Sequence, residues 1–306
     1  MNKVFIDGSA GTTGLRIYER LSGRKDISLI SLTEENRKNP QARKDAILEA
    51  DIAFLCLPDD AAREAVALAE DADTCIIDTS TAHRTAEGWT YGFPEISGMR
   101  DLIRGSKRIA NPGCHASGFI SLVAPLVERE ILPEDAGLTC FSLTGYTGGG
   151  KKMIAEYETA KTEPLEAPRM YGLSQVHKHL PEMEKICGLS KPPVFCPIVA
   201  DFPCGMEVVV TLTADMTSAG IHEICEVYQD YYQNGLVHFR KAADENGFLT
   251  ANAFAGRDDM EISVFGNDER ILLVSRFDNL GKGASGAALQ NMNIVLGLDE
   301  TTGLNV

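Results

Sequence analysis

The sequence predicts an α/β protein: a Rossmann-type doubly wound parallel sheet joined to a second α+β domain with a mixed sheet. Three observations predict it. The chain opens as strand, glycine-rich turn and helix. Short apolar runs then alternate with helical patterns as far as Ala110. Beyond Leu138 the strands lengthen and alternate apolar with polar residues. Val4 to Asp7 is the first strand, Gly8-Ser9-Ala10-Gly11-Thr12-Thr13-Gly14 the turn, and Leu15, Tyr18 and Leu21 one face of the helix. Strands follow at Ile27 to Leu32, Ile52 to Leu57, Cys75 to Asp78 and Arg108 to Ala110. An alanine-rich helix (Ala61, Ala62, Ala65, Val66, Ala69) lies between two of them. Strands separated by helices imply parallel crossovers.

Behind Pro112-Gly113-Cys114, the residues Phe119, Leu122, Val123, Leu126 and Val127 recur at helical spacing. Pro125 is expected to kink or end that helix about three turns in. Strands at Leu138 to Tyr146, Met206 to Ala214, Glu261 to Phe265 and Arg270 to Phe277 make the mixed sheet. A helix through Ile221, Ile224, Cys225 and Tyr228 accompanies them. Gly266-Asn267-Asp268-Glu269 is expected to turn a hairpin between the last two strands. Gly281 to Ala288 leads into a small-residue helix that returns to the first domain. The expected domains are 1–113 with 280–306 for a dinucleotide, and 114–279 for catalysis, substrate and oligomerisation.

A chain of 306 residues, 44% hydrophobic, has room for two cores. Its net charge of −15 argues against nucleic acid and anionic membranes as partners. No apolar run is long enough to span a bilayer, and Met1 to Ile6 enters a strand without signal-peptide features, so a cytoplasmic protein is expected. Cys56, Cys75, Cys114, Cys140, Cys187, Cys196, Cys204 and Cys225 form no Cys-x-x-Cys pair, which argues against zinc and against a disulfide scaffold. Several, Cys56 among them, read as core.

Cys114 is the exception. It stands at the positive end of the expected helix, where a thiolate is stabilised, and Gly113 permits close approach of a ligand to the main chain. Gly8-x-x-Gly11-x-x-Gly14 departs from the commonest dinucleotide spacing. It nonetheless sits between strand and helix, where backbone amides face a pyrophosphate. Ser31-Leu32-Thr33, with Arg37 and Lys38, replaces the acidic residue that would hold an NAD ribose, which favours NADP, although Glu34 and Glu35 lie near enough to reverse the reading.

Three further segments carry polar chemistry. Asp78 to Arg84 follows a strand at the ligand-binding edge of the sheet, and Ser80 with Arg84 suits a phosphate or carboxylate, or else simply caps a loop. Gln175 to Glu182 holds His177, His179 and Glu182, suited to proton transfer, with Pro181 as a helix opener. Two histidines without a third ligand do not make a metal site. Gly145 to Lys152 reads as a flexible loop with two cations, an anion cradle or a mobile surface segment.

These segments together resemble the N-acetyl-gamma-glutamyl-phosphate reductases in their shorter form, and more distantly the aspartate-semialdehyde dehydrogenases. The resemblance runs nearly end to end. Its most specific element is Ile109 to Gly118 with Pro125. Tyr91-Gly92-Phe93-Pro94-Glu95, His177-x-His179-x-x-Glu182 and Asp278 to Ala284 support it. His115 stands where that family usually has Phe or Tyr, and Ser117 where it usually has Thr. The resemblance implies reduction of N-acetyl-L-glutamyl 5-phosphate by NADPH to the 5-semialdehyde through a thioacyl Cys114, in arginine biosynthesis. It implies His177 as acid/base, and Ser80, Arg84, His179 and Glu182 as substrate-binding residues. Gly8, Ala10, Gly11, Thr12, Thr13, Gly14 and Ser31 would bind NADP, and Asn279 its nicotinamide carboxamide. It implies no metal, small anionic substrates and phosphate as ligands, and a homo-oligomer, dimer or tetramer. The competing readings are an aspartate-semialdehyde dehydrogenase, a catalytically silent dinucleotide sensor, and a thiol hydrolase that would leave the Gly8 to Gly14 turn without purpose.

Overall fold

The computed structural model describes residues 1–70 and 72–306. In chain order its main elements are β1 (Asn2–Asp7), α1 (Thr12–Ser22), β2 (Ile27–Ile30), α2 (Pro40–Glu49), β3 (Ile52–Leu55), α3 (Asp59–Leu68), β4 (Cys75–Asp78), β5 (Thr90–Tyr91), α4 (Met99–Gly105) and β6 (Arg108–Ala110). Then come α5 (Cys114–Glu128), β7 (Thr139–Gly145), α6 (Gly150–Glu158), β8 (Arg169–Met170), α7 (Leu180–Cys187), β9 (Val194–Ala200), β10 (Met206–Thr213), α8 (Ile221–Tyr231), β11 (Val237–Phe239), β12 (Met260–Asn267), β13 (Arg270–Phe277) and α9 (Gly286–Val295). Residues 1–112 with 284–304 form one compact unit, and 113–283 with 305–306 another.

The first unit is a six-stranded sheet in the order β2-β1-β3-β4-β6-β5, every pair parallel. Chain order reverses between β1 and β3, and ligands of such sheets collect at the carboxyl ends of the strands beside that switch. One face is filled by Val4, Ile6, Ile52, Phe54 and Ile77 with Ile17 and Leu21 of α1 and Ala288, Leu289 and Met292 of α9. The other carries Phe5, Ala53, Leu55 and Ile76 against α2 and the alanines of α3. Small residues on α3 let the helix lie close to the sheet.

The face of α1 differs from the expected one. Gly14, Ile17 and Leu21 are buried, whereas Leu15 and Tyr18 are each more than two-fifths exposed. A 3.6-residue period accommodates either set, and only the direction in which the glycine turn delivers the chain selects between them.

The second unit is a seven-stranded mixed sheet, β11-β12-β13-β10-β7-β9-β8, with β7/β9 and β11/β12 parallel and the rest antiparallel. β12 and β13 form the expected hairpin, Asn267 pairing Arg270 across Asp268-Glu269, with Gly266 at φ +107°. Helix α5 packs on β10 and β13, and α8 on β12.

Pro125 does not end α5, which runs on to Glu128. The proline lacks the N–H that would have satisfied the Ser121 carbonyl, and Tyr232 supplies a replacement, its hydroxyl donating to Ser121 O at 2.7 Å. Tyr228 likewise donates to Leu122 O. Gly145 to Lys152 is also not a loop: Tyr146–Gly149 is a 3-10 turn that leads directly into α6. Its glycines make the tight passage from β7 to helix, and the Tyr146 ring stacks on Tyr157 at 4.7 Å.

Candidate active site

The residues singled out by sequence fall into two groups, one in each unit. In the first, β1 delivers the chain at Asp7 into Gly8, whose φ is +88° and where a Cβ would lie 2.2 Å from the Cys56 carbonyl oxygen. Only glycine fits there. Gly11 N–H closes the turn on Gly8 O at 3.0 Å, and α1 starts at Thr12 with no side chain capping it. The amides of Thr12, Thr13 and Gly14 therefore form an uncapped, positive helix terminus. A cavity of about 500 Å³ lies against this turn, lined among others by Gly8, Ser9, Ala10, Leu15, Tyr18, Ser31 and Arg37. Its size and mixed lining suit part of a dinucleotide, and a glycine-only turn beside an uncapped helix suits the pyrophosphate. Leu15 and Tyr18, read from the sequence as one helical face with Leu21, are walls of this cavity.

At the end of β4, Asp78 is fully buried. It accepts from Ser80 N–H at 2.9 Å and from Ser80 Oγ–H at 2.7 Å, and its Oδ2 lies 2.6 Å from His83 Nδ1. The His83 ring stacks on Trp89 at 4.1 Å. Arg84 donates from Nε to Asn111 O at 3.0 Å and from Nη2 to Thr79 O at 3.2 Å. Ser80 and Arg84 thus also hold the main chain of their own loop and of the segment after β6.

The second group surrounds the thiol. Cys114 is the first residue of α5 and half-buried, with Gly113 at the N-cap and no side-chain cap. The helix terminus therefore acts on the sulfur, stabilising its anion. Glu182, 1% exposed on α7, accepts the Gly113 N–H at 3.1 Å through Oε2, and its Oε1 lies 3.9 Å from His179 Nε2. The His-x-His-x-x-Glu spacing works because α7 begins at Leu180, with Pro181 in its first turn, and turns Glu182 back toward the peptide before Cys114. His179 N–H donates to His177 Nδ1 at 3.2 Å, so the neutral His177 ring carries its proton on Nε2. The His177 ring is half-buried and lies 4.8 Å from His179 and 5.1 Å from Phe195.

His115, next after the thiol, meets both imidazoles, at 5.9 Å from His177 and 5.6 Å from His179. Its Nδ1 lies 2.6 Å from Ser142 Oγ and its Nε2 2.7 Å from the Tyr171 hydroxyl. Burial, helped by His177, pushes its pKa down to about 3. Burial pushes the Tyr171 phenol upward, and charge on Cys114 adds to that push. Asn279 is buried, its Oδ1 accepting from Gly205 N–H at 2.9 Å and its Nδ2 donating to Thr147 Oγ1 at 3.0 Å. A Cβ on Gly283 would stand 2.9 Å from Cys114 Cβ, so the Gly281-Lys282-Gly283 turn passes directly against the thiol residue. Among the described residues no group of three or more His, Cys, Asp or Glu is placed to hold a metal ion.

The structure therefore gathers Cys114, His177, His179, Glu182 and Asn279 in the second unit, and Gly8 to Gly14, Ser31, Ser80 and Arg84 in the first. Sequence reasoning missed Ser142, Tyr171 and Phe195. The one available signal was a histidine at 115 on an otherwise apolar helix, which requires polar partners when buried.

Residues 3–104 match the family described as semialdehyde dehydrogenase, NAD binding domain, and residues 114–279 that described as semialdehyde dehydrogenase, dimerisation domain. The chain is 45% identical to N-acetyl-gamma-glutamyl-phosphate reductase 2 of Nostoc sp., over 99% of both chains. It is 46% identical to N-acetyl-gamma-glutamyl-phosphate reductase of Sinorhizobium medicae, over 96% of this chain and 98% of that one. Among solved structures it is similar in fold to aspartate semialdehyde dehydrogenase II of Vibrio cholerae, with a TM-score of 0.73 at 18% identity, covering 97% of this chain and 98% of that one. The aspartate semialdehyde dehydrogenase of Candida albicans gives a TM-score of 0.70 at 15% identity, with the same coverage.

Proposed function

We propose, on the premise that this chain belongs to the N-acetyl-gamma-glutamyl-phosphate reductase family, that it reduces N-acetyl-L-glutamyl 5-phosphate to N-acetyl-L-glutamate 5-semialdehyde, releasing phosphate, in arginine biosynthesis. It is an oxidoreductase with a nicotinamide-dinucleotide domain. The observation that carries the mechanism is Cys114 at an uncapped helix terminus, with Glu182 fixing the peptide before it and His115, packed on His177 and His179, directly after it.

The Cys114 anion attacks the acyl carbon of the substrate. The carbon–oxygen bond to phosphate breaks with its electron pair on the departing oxygen, leaving a thioester on Sγ. His177, whose neutral ring carries its hydrogen on Nε2, donates a hydrogen bond to that oxygen, and phosphate departs as its anion without a full proton transfer. The nucleotide, when bound, supplies a hydride to the thioester carbon. The resulting tetrahedral oxyanion expels Sγ, which frees the aldehyde and restores the thiolate. His179 and Glu182 orient the thiol peptide and the substrate, and Ser80 and Arg84 receive an anionic group of it.

Gly8 to Gly14 would hold the pyrophosphate, and the family resemblance gives Asn279 the carboxamide. NADP is the preferred nucleotide, because Ser31 and Arg37 line the cavity against the glycine turn and the end of β2 carries no acid. The chain assembles as a homo-oligomer through the second sheet, where Phe141 and Leu272 are each 42% exposed while Cys140 and Ser142 on the opposite face are buried.

The test follows NADPH absorbance in the reverse direction, from N-acetylglutamate semialdehyde with NADP, with and without phosphate. Phosphate-dependent NADPH formation is expected. Phosphate-independent turnover, or preference for aspartate semialdehyde, overturns the assignment.

A further inference from the structure

Resting on that reading, we propose that Tyr171 donates a hydrogen bond to the acyl oxygen of the Cys114-bound group, and that Ser142 and His115 are the relay that aims its hydroxyl. Ser142 is fully buried, and among the described residues its hydroxyl has one hydrogen-bond partner, His115 Nδ1 at 2.6 Å. A buried hydroxyl that only accepted would leave its own hydrogen unsatisfied, so Ser142 donates and Nδ1 accepts. His115, held neutral by burial, carries a single ring proton, which is therefore on Nε2. That proton goes to the Tyr171 oxygen at 2.7 Å.

The Tyr171 oxygen is thereby an acceptor toward His115, and its own O–H must point elsewhere. Tyr171 lies in the thiol cluster: its ring stands 5.9 Å from His177, and the charge of Cys114 acts on its phenol. Negative charge appears there on the acyl oxygen twice, once before phosphate leaves and once before the aldehyde forms. A fixed donor at that point acts mainly on the transition states, so its loss appears in kcat more than in KM. His115 touches no substrate; it is a positioning residue acting through Tyr171.

Nitrogen-15 spectra of the unmodified protein test the relay directly. His115 is expected as the Nε2–H tautomer, unchanged from pH 8 to pH 5, and an Nδ1–H tautomer overturns it whatever the activity. Tyr171→Phe is expected to lower kcat about 100-fold, with KM near wild type and the pH profile of Cys114 alkylation by iodoacetamide unchanged. An unaltered kcat overturns the proposal, and so does a displaced alkylation profile, which would put the hydroxyl on the sulfur. His115→Phe should lose part of the same factor, His115→Gln should recover some of it, and Tyr171→Phe with His115→Phe should be no worse than Tyr171→Phe alone. Multiplicative losses overturn the relay. Absence of wild-type turnover on the semialdehyde sinks the reductase reading and the acyl-oxygen role with it, whereas the wrong tautomer sinks the relay alone.

Discussion

The nucleotide half and the thiol half of this protein are built from different materials. Around Gly8 the chemistry is main chain: a left-handed glycine, an uncapped helix start and a cavity whose walls include the solvent-facing side of α1. Around Cys114 it is side chain: three imidazoles, a phenol, a serine and a buried carboxylate, contributed by α5, α7, β7 and the segment between β8 and α7. A backbone cradle depends on a few glycines and tolerates change elsewhere. A side-chain cluster depends on every member's protonation and direction. The two halves should accordingly fail in different ways.

The sharpest separation is Cys114→Ser, expected to lower reductase turnover by roughly 10⁴-fold or more while NADPH binding, read by fluorescence titration, stays at wild type. Turnover near wild type would break the assignment of the nucleophile. His177→Asn displaces the Nε2–H hydrogen-bond donor and should cost about 10²- to 10³-fold in kcat, again with nucleotide affinity intact.

Acid separates the halves through stability. His115 titrates at about 3 in the folded state against an ordinary 6.5, so between those values the unfolded chain binds the proton and the folded one does not. Stability therefore falls as pH drops from 6.5 toward 3, by something on the order of a few kcal/mol, and is fully present above 6.5. The groups facing this imidazole are Tyr171, His177 and His179, with Cys114 beside it. Asp7, in the nucleotide half, works in the opposite sense. Burial raises its pKa above 3.8 despite the Arg43 Nε contact at 2.9 Å, so it is stabilised as pH falls. Hydrogen exchange at pH 7 and pH 4.5 should show α5 losing protection before α1, and His115→Phe should reduce that difference. The smallest effect is expected from Arg37→Ala: about a tenfold rise in KM for NADPH, with kcat and KM for NADH little changed. Equal losses with both nucleotides would remove Arg37 from cofactor selection.

Much of the nucleotide half was legible, because turn chemistry and strand alternation are local: Gly8, Gly11 and Gly14 declare themselves by their place between strand and helix, and β1, β4 and β6 by their short apolar runs. The face of α1 was not, since Leu15 and Tyr18 are as apolar as Ile17 and Leu21, and only the docked helix distinguishes a cavity wall from a core. In the thiol half the peptide Pro112-Gly113-Cys114 and the run from His177 to Glu182 were visible as motifs. Their meeting was expected from the family resemblance alone and not from spacing, because it spans 69 residues between Gly113 and Glu182. The passage of α5 through Pro125 was equally hidden. It depends on hydroxyls of Tyr228 and Tyr232 more than a hundred residues downstream.

What the sequence determined by itself was the alternation of strand and helix, the glycine turn and the thiol at a helix start, all set by periodicity and backbone sterics within a few residues. The direction of each polar side chain in the thiol cluster was decided only by tertiary structure. A buried imidazole such as His115 has two nitrogens and one proton, and its tautomer is fixed by Ser142 and Tyr171, partners that the fold brings from distant strands and loops.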